Sequence, residues 1–160
     1  MYSGRGNGLA SEFMQSAGGC RMDARIKDEQ ALDDLLQCAR GAAERAYAPY
    51  SGFRVGAALK LTDGAVVTGA NVENASYGLT ICAERAALAR AVSEFGPEIR
   101  IAAVAVTNLN DAASPPCGAC RQTLAEFILS DAPVIFSAED GVRTMPFSAL
   151  LPQAFVKQRK

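Results

Sequence analysis

An amphipathic helix, then a hairpin, then strand and helix in alternation: this order of patterns predicts an α/β fold, a three-layer α/β/α sandwich around a mixed sheet of about five strands. Three observations carry it. Apolar residues recur at a helical period near the start, two apolar runs flank an Asp-Gly turn, and the later strands are nearly continuous apolar runs separated by helix-like segments.

Residues 1–25, rich in Gly and Ser and without a helical or strand period, read as a disordered leader. "ASEF" before Met14 resembles a cloning junction, with Met14 or Met22 as the natural start, and residues 26–160 are then the folded domain. From Ile26, "IKDEQALDDLLQCARGAAERAY" places Leu32, Leu35, Leu36, Ala39, Ala42, Ala43 and Ala46 at three-and-four spacing, an amphipathic helix that Pro49 ends. Cys38 within it reads as small apolar filler. "FRVGAALKLTDGAVVTGANVEN" reads as a hairpin about Asp63-Gly64. A helix follows from about Cys82 to Phe95. "IRIAAVAVTN", rich in β-branched residues, reads as a strand covered on both faces. Pro115 and Pro116 precede a helix from Cys117 to about Leu129, and "PVIFSA" is another buried strand. "GVRTMPF" adds an edge strand, and Ser148 caps a last short turn ending near Pro152.

With 160 residues, 49% hydrophobic and 21% charged, the chain suits one domain with a single core. A net charge of −1 offers no electrostatic footprint for a nucleic-acid polymer. No apolar run approaches the roughly 18 residues of a membrane span, and no secretory pattern opens the chain, so a cytoplasmic location is expected. Five cysteines, an odd number without export signals, argue against a disulfide framework. The chain has no histidine, which removes Ser-His-Asp and Cys-His nucleophiles and every zinc site that uses imidazole.

What remains is thiol and carboxylate chemistry. Cys117 and Cys120 in "PCGAC" are three residues apart, so at a helix start both thiols can face one point. Cys82 in "TICAERAALARAV" supplies a third thiol from another helix start, and the positive ends of two helices offset the excess negative charge of three thiolates around Zn²⁺. Arg85, one turn on, is placed to donate hydrogen bonds to the sulfurs. Three protein ligands leave the fourth position of a tetrahedral zinc open, as in catalytic sites. Glu84 lies two residues from Cys82, a spacing that separates side chains inside a helix; with Cys82 at the cap, both reach the space beyond the helix end. A carboxylate there can take a proton from a metal-polarised water and hand it on. "CAE" at one helix start and "PCGAC" at the next match the zinc-deaminase signature in its all-cysteine form.

Over residues 35–155 the sequence resembles the cytidine deaminases, the small tetrameric family acting on free nucleosides: "AYAPYSGFRVGAAL", "GANVENASYGLTICAERAAL" and "PCGACRQTLAEF" resemble three family blocks in order. The resemblance implies one Zn²⁺ per subunit on Cys82, Cys117 and Cys120, with Glu84 as proton shuttle. It implies that Phe53 lines the base and sugar pocket, that Asn71 and Glu73 bond the ribose 3′-hydroxyl, and that Ala83 contacts substrate. Tyr77 would lie at a subunit boundary and Phe155 would pack on the base from a neighbour, giving a homotetramer with shared sites. The implied activity is hydrolytic deamination of cytidine and 2′-deoxycytidine to uridine and 2′-deoxyuridine, in pyrimidine salvage. Ser76 stands where family members often have Cys, which leaves the three ligands untouched.

Without that setting, Phe53 would read as a core aromatic, and Asn71 with Glu73 at alternate strand positions as a solvated face. Their spacing nevertheless projects both polar groups to one side, close in sequence to the metal helix. Arg121 reads equally as ordinary helix surface, and Gln122 as no more than a support. Two other functions fit parts of the pattern: deamination of another aminopyrimidine, such as blasticidin S or a base within a polynucleotide, and a noncatalytic zinc-stabilised module with Cys20 or Cys38 as fourth ligand. "NVEN" and the near-neutral charge favour a free nucleoside over the first, and Glu84 speaks against the second.

Overall fold

Alternation along the central strands decides where the helices sit. In the computed structural model, which describes residues 29–157, α1 (Glu29–Ala43) precedes the hairpin of β1 (Val55–Leu61) and β2 (Val66–Ala70). Then come α2 (Ala83–Phe95), β3 (Ile101–Asn108), α3 (Gly118–Leu124), β4 (Pro133–Ala138), β5 (Gly141–Pro146) and α4 (Phe147–Leu150). The expected leader, its Met14, Met22 and Cys20, and Ile26 lie outside the described residues.

The five strands form one sheet in the order β2-β1-β3-β4-β5, with only β3 and β4 parallel, so the sheet is mixed as predicted. Ala57, Leu59 and Leu61 of β1, with Val104 and Val106 of β3, face α2 and α3 in one apolar cluster. Their neighbours in sequence, Ala58, Ala103 and Ala105, face Leu35 and Ala39 of α1 in another. Successive strand residues thus feed opposite cores, which makes the central strands apolar on both faces and the architecture three-layered.

Two glycines set how closely the helices approach. A Cβ at Gly56 would lie 1.9 Å from the Ala39 carbonyl oxygen, and one at Gly69 would lie 2.3 Å from the Ala87 nitrogen and 2.7 Å from the Ala83 carbonyl oxygen. The first turn of α2 therefore rests directly on β2. That contact positions the residues at the start of α2, where the candidate site lies.

Three element ends differ from the sequence expectation, each for a tertiary reason. The first helix stops at Ala43 rather than running to Pro49, because the chain turns and Tyr47 bonds across to another segment: its N–H donates to Asn71 O at 3.0 Å, and its carbonyl accepts from Glu73 N at 2.8 Å. Helix α3 ends at Leu124, not near Leu129. Phe127 O accepts from Ile101 N at 2.9 Å and Leu129 N donates to Ile101 O at 3.1 Å, so this segment is drawn onto the start of β3. Ser148 does not cap the last helix; Pro146 is its N-cap, and the Ser148 amide donates to Ser130 O at 2.9 Å. Cys38 is half-buried against the α1 cluster and disulfide-bonded, rather than simple filler. The other three described cysteines are free thiols.

Candidate metal centre and cavity

Cys82 and Cys117 are the N-cap residues of α2 and α3, both in extended backbone geometry (ψ 154° and 162°). Cys120 follows in the first turn of α3 and is fully buried. The three Sγ atoms lie within 4.8 Å of one another. Zn–S bonds of about 2.3 Å at tetrahedral angles would set sulfurs about 3.8 Å apart, so this donor set fits a shared zinc ion. Two helix starts meet at the sulfurs, as the sequence spacing implies, and their unpaired N–H groups favour negative charge there.

The thiols already polarise one another. The hydrogen bond from Cys120, aided by Arg85, draws the Cys82 thiol down to about 5. The same hydrogen bond, with burial, pushes Cys120 up. Arg85 Nη2 lies 3.7 Å from Cys82 Sγ and donates to Thr80 O at 3.0 Å, which holds the guanidinium against the sulfur. Glu84, only 4% exposed, has its carboxyl pushed up by burial and then by the Cys82 charge. A buried carboxyl with a raised proton affinity, next to thiols that attract a cation, is suited to accepting and returning a proton.

These groups open into a cavity of about 310 Å³. Cys82, Ala83, Glu84 and Cys117 form one wall, and Phe53, Val55 and Asn71 form another. Thr80, Val106, Ala113, Ser114 and Pro115 complete the lining, and these sequence reasoning did not single out. Val106 was legible only as a strand residue, and the Ser114 loop lacks any period. The volume suits one small ligand held between an apolar wall and a few polar groups.

Asn71 sits just past the end of β2 with its side chain engaged: Nδ2 donates to Phe53 O at 2.9 Å, and Oδ1 accepts from Val55 N at 2.8 Å. One donor and one acceptor position of the amide remain for a ligand. Three expected site residues are not brought to the cavity within this chain. The Glu73 carboxylate turns to the loop before Phe53, accepting from Tyr50 N at 2.9 Å, Ser51 N at 3.3 Å and the Ser51 hydroxyl, bonds that hold it ionised below the usual glutamate range. Tyr77 is 80% exposed and Phe155 75% exposed.

The tail carrying Phe155 is nonetheless tied down. The Gln122 side chain donates to Phe155 O at 2.7 Å and accepts from Phe155 N at 3.1 Å, pairing like a neighbouring strand. Arg121 bonds Pro116 O at 2.7 Å and Leu150 O at 3.0 Å, joining the thiol loop to α4. Neither residue is plain helix surface.

Comparison with known proteins agrees with this geometry. The family model for the cytidine and deoxycytidylate deaminase zinc-binding region matches residues 29–136. The cytidine deaminase of Halalkalibacterium halodurans is 48% identical over 125 residues, covering 78% of this chain and 93% of that one. That of Mycobacterium tuberculosis is 46% identical over 114 residues, covering 71% and 81%. The crystal structure of the Burkholderia pseudomallei cytidine deaminase superposes with a TM-score of 0.70 at 46% identity, covering 77% of this chain and 98% of the other. Two converging helix starts bearing three thiols, a buried glutamate between them and this breadth of similarity lead to one conclusion: the chain belongs to the cytidine deaminase family.

Proposed function

We propose that the protein catalyses the hydrolytic deamination of cytidine and 2′-deoxycytidine to the corresponding uridines with release of ammonia, as a zinc-dependent enzyme of pyrimidine salvage in the cytoplasm. The observation that carries this reading is the placement of Glu84, buried beside three clustered thiols in the wall of a cavity faced by an aromatic ring. Family membership supports the same activity.

Cys82, Cys117 and Cys120 would hold the zinc, with Arg85 offsetting part of their charge. Bound there, zinc supplies Lewis acidity that lowers the pKa of a coordinated water to about 7. Glu84 would take one proton from the incoming water and deliver it to N3 of the cytosine ring, which makes C4 electrophilic. With water's oxygen added at C4, Glu84 would pass water's second proton to the 4-amino group, so that the C4–N bond breaks and ammonia leaves. Burial favours this double role, since a carboxyl with a raised pKa both accepts and returns a proton at small cost. Phe53 would pack on the pyrimidine, Ala83 would line the base site and Asn71 would receive the sugar, which Glu73 joins by exchanging its bonds to Tyr50 and Ser51 for one to the sugar.

We assign Tyr77 and Phe155 to the sites of neighbouring subunits in a homotetramer. Their exposure supports this, as does an apolar rim of Tyr47, Val72, Leu79 and Ile81, each at least 44% exposed, a surface a monomer would leave in water. Among the described residues no helix is long and apolar enough to cross a membrane.

Cytidine loss followed by absorbance, with and without a strong chelator, tests the proposal. Turnover of cytidine that the chelator abolishes and zinc restores is expected, with no action on single-stranded DNA. Turnover insensitive to metal removal would overturn the zinc assignment, and action on the polymer alone would overturn the substrate.

A further inference from the structure

The loop between β3 and α3 contains a hydrogen-bond node that the deaminase chemistry does not use. Asn108, 2% exposed at the end of β3, spends its whole side-chain capacity on that loop. Its Nδ2 donates to Ala112 O at 2.6 Å and to Ser114 Oγ at 3.0 Å. Its Oδ1 accepts from Asn110 N at 2.8 Å and from Ala112 N at 3.3 Å. The turn so enclosed has Asp111 at its tip with a φ of 51°, a left-handed conformation that needs surrounding bonds to hold it.

From this turn Asn110 reaches across to the other side of the cavity. Its Oδ1 accepts from Arg54 N at 3.0 Å and its Nδ2 donates to Gly52 O at 3.1 Å, one bond on each side of Phe53. On the opposite edge, Asn71 takes Phe53 O and Val55 N. The segment 52–55 is thereby bracketed by two asparagine amides, and Phe53, between them, lines the cavity. At its far end the same loop delivers Ser114 to the cavity and leads to Cys117.

We propose that Asn108 and Asn110 form a positioning relay that sets the Phe53 wall and the loop leading to Cys117 as one unit, so that the distance between base pocket and thiols is fixed before a nucleoside arrives. Asn110 is the arm that holds Phe53; Asn108 is the buried node that aims the arm and Ser114 together. Neither touches the reacting atoms. The catalytic consequence rests on the deaminase reading above, whereas the relay itself is a property of the fold and is tested separately.

The test uses the full chain with Asn110→Ala, Asn108→Asp and the double variant. Amide hydrogen exchange reads the relay without reference to activity. Asn110→Ala should speed exchange at Arg54 about tenfold, since the bond worth roughly 1.4 kcal/mol that protects it is gone. Asn108→Asp has no contact with Arg54, keeps the side-chain shape and loses both Nδ2 donors, yet should also speed exchange at Arg54. Unchanged Arg54 exchange in Asn108→Asp would overturn the relay. In turnover, Asn110→Ala should raise the KM for cytidine about tenfold with kcat within about threefold and zinc content unchanged, the pattern of lost ground-state positioning. A lower melting temperature with KM unchanged would mean a purely structural loop and refute the positioning role. The double variant should be no worse than Asn108→Asp alone, since both act through one path, and KM effects that multiply would refute the coupling. If Asn108→Asp does not fold, Ser114→Ala removes one of the same Nδ2 bonds and takes its place. Absence of cytidine turnover in the parent would fell the deaminase reading alone, leaving the exchange experiment to decide the relay.

Discussion

The thiol end of the cavity and its outer rim are built on different principles. At the thiol end, Cys82, Glu84, Cys117 and Cys120 sit within the first turns of two helices and are brought together inside one chain. At the rim, Glu73 is turned onto the Tyr50–Ser51 backbone, and Tyr77 and Phe155 stand in solvent. The thiols and the glutamate are preorganised by helix starts and burial, because misplaced charge is costly in a low-dielectric pocket. The rim groups keep their side chains on backbone amides or in water, where their polar and aromatic surfaces stay available for contact.

That difference is open to experiment. The largest effect should come from the ligand set: Cys120→Ala, at the buried corner of the thiol triangle, should abolish both zinc binding and turnover, whereas Cys38→Ala should leave zinc content unchanged, both read by metal analysis of the purified chain. Zinc retained at full stoichiometry in Cys120→Ala would break the assignment of the thiol end.

Glu84→Gln should keep the metal and the fold while lowering kcat by roughly 10²–10⁴-fold, since the amide has the shape of the carboxylate and cannot shuttle a proton. Activity within a few-fold of the parent at equal zinc content would remove Glu84 from the mechanism.

The rim should respond in KM rather than in metal content. Phe155→Ala should raise the KM for cytidine roughly tenfold, by analogy with base stacking on aromatics worth about 1–3 kcal/mol, with zinc unchanged. Gln122→Ala, which frees the tail at both of its bonds to Phe155, should produce part of the same rise. A fully active monomer in sedimentation at assay concentration would contradict the shared site, and a normal KM for Phe155→Ala would leave the tail without a part in binding.

The smallest effect concerns Glu73. The Ser51 hydroxyl and then the Tyr50 amide hold its carboxyl below the ordinary range, so its tie to the 50–51 loop is present above the unfolded pKa and is lost as pH falls through the lower folded value. Ser51→Ala should move that transition to higher pH, followed by the Tyr50 amide resonance during acid titration. Coincident midpoints in parent and variant would show that Ser51 does not tune Glu73.

Much of the thiol end was legible in the sequence because its geometry is local. A three-residue spacing at a helix start sets two sulfurs on one side, and Cys82 at the cap escapes the helical rotation that would otherwise separate it from Glu84. The layers were legible for a similar reason: the period of apolar residues separates α1 from the strands, and the nearly unbroken apolar run of β3 announces cover on both faces. The pairing of Asn71 and Glu73 as one sugar clamp was read from strand alternation, and it holds less well, since both lie past the end of β2 and their side chains bond different backbone segments.

By itself, then, the sequence determined the kind of fold, the three thiols and the glutamate, since period and spacing are set by the backbone geometry of single elements. Only the tertiary structure decided where α1 and α3 stop, which way Glu73 turns, and that Asn108 and Asn110 tie the Phe53 wall to the thiol loop. Those outcomes rest on hydrogen bonds between segments far apart in the chain: Asn110 and Arg54 are separated by 56 positions, as Asn110 and Gly52 are by 58. A bond of that span leaves no periodic trace in either segment, because it is selected by the free energy of closing the whole domain rather than by the preference of any residue for its neighbours.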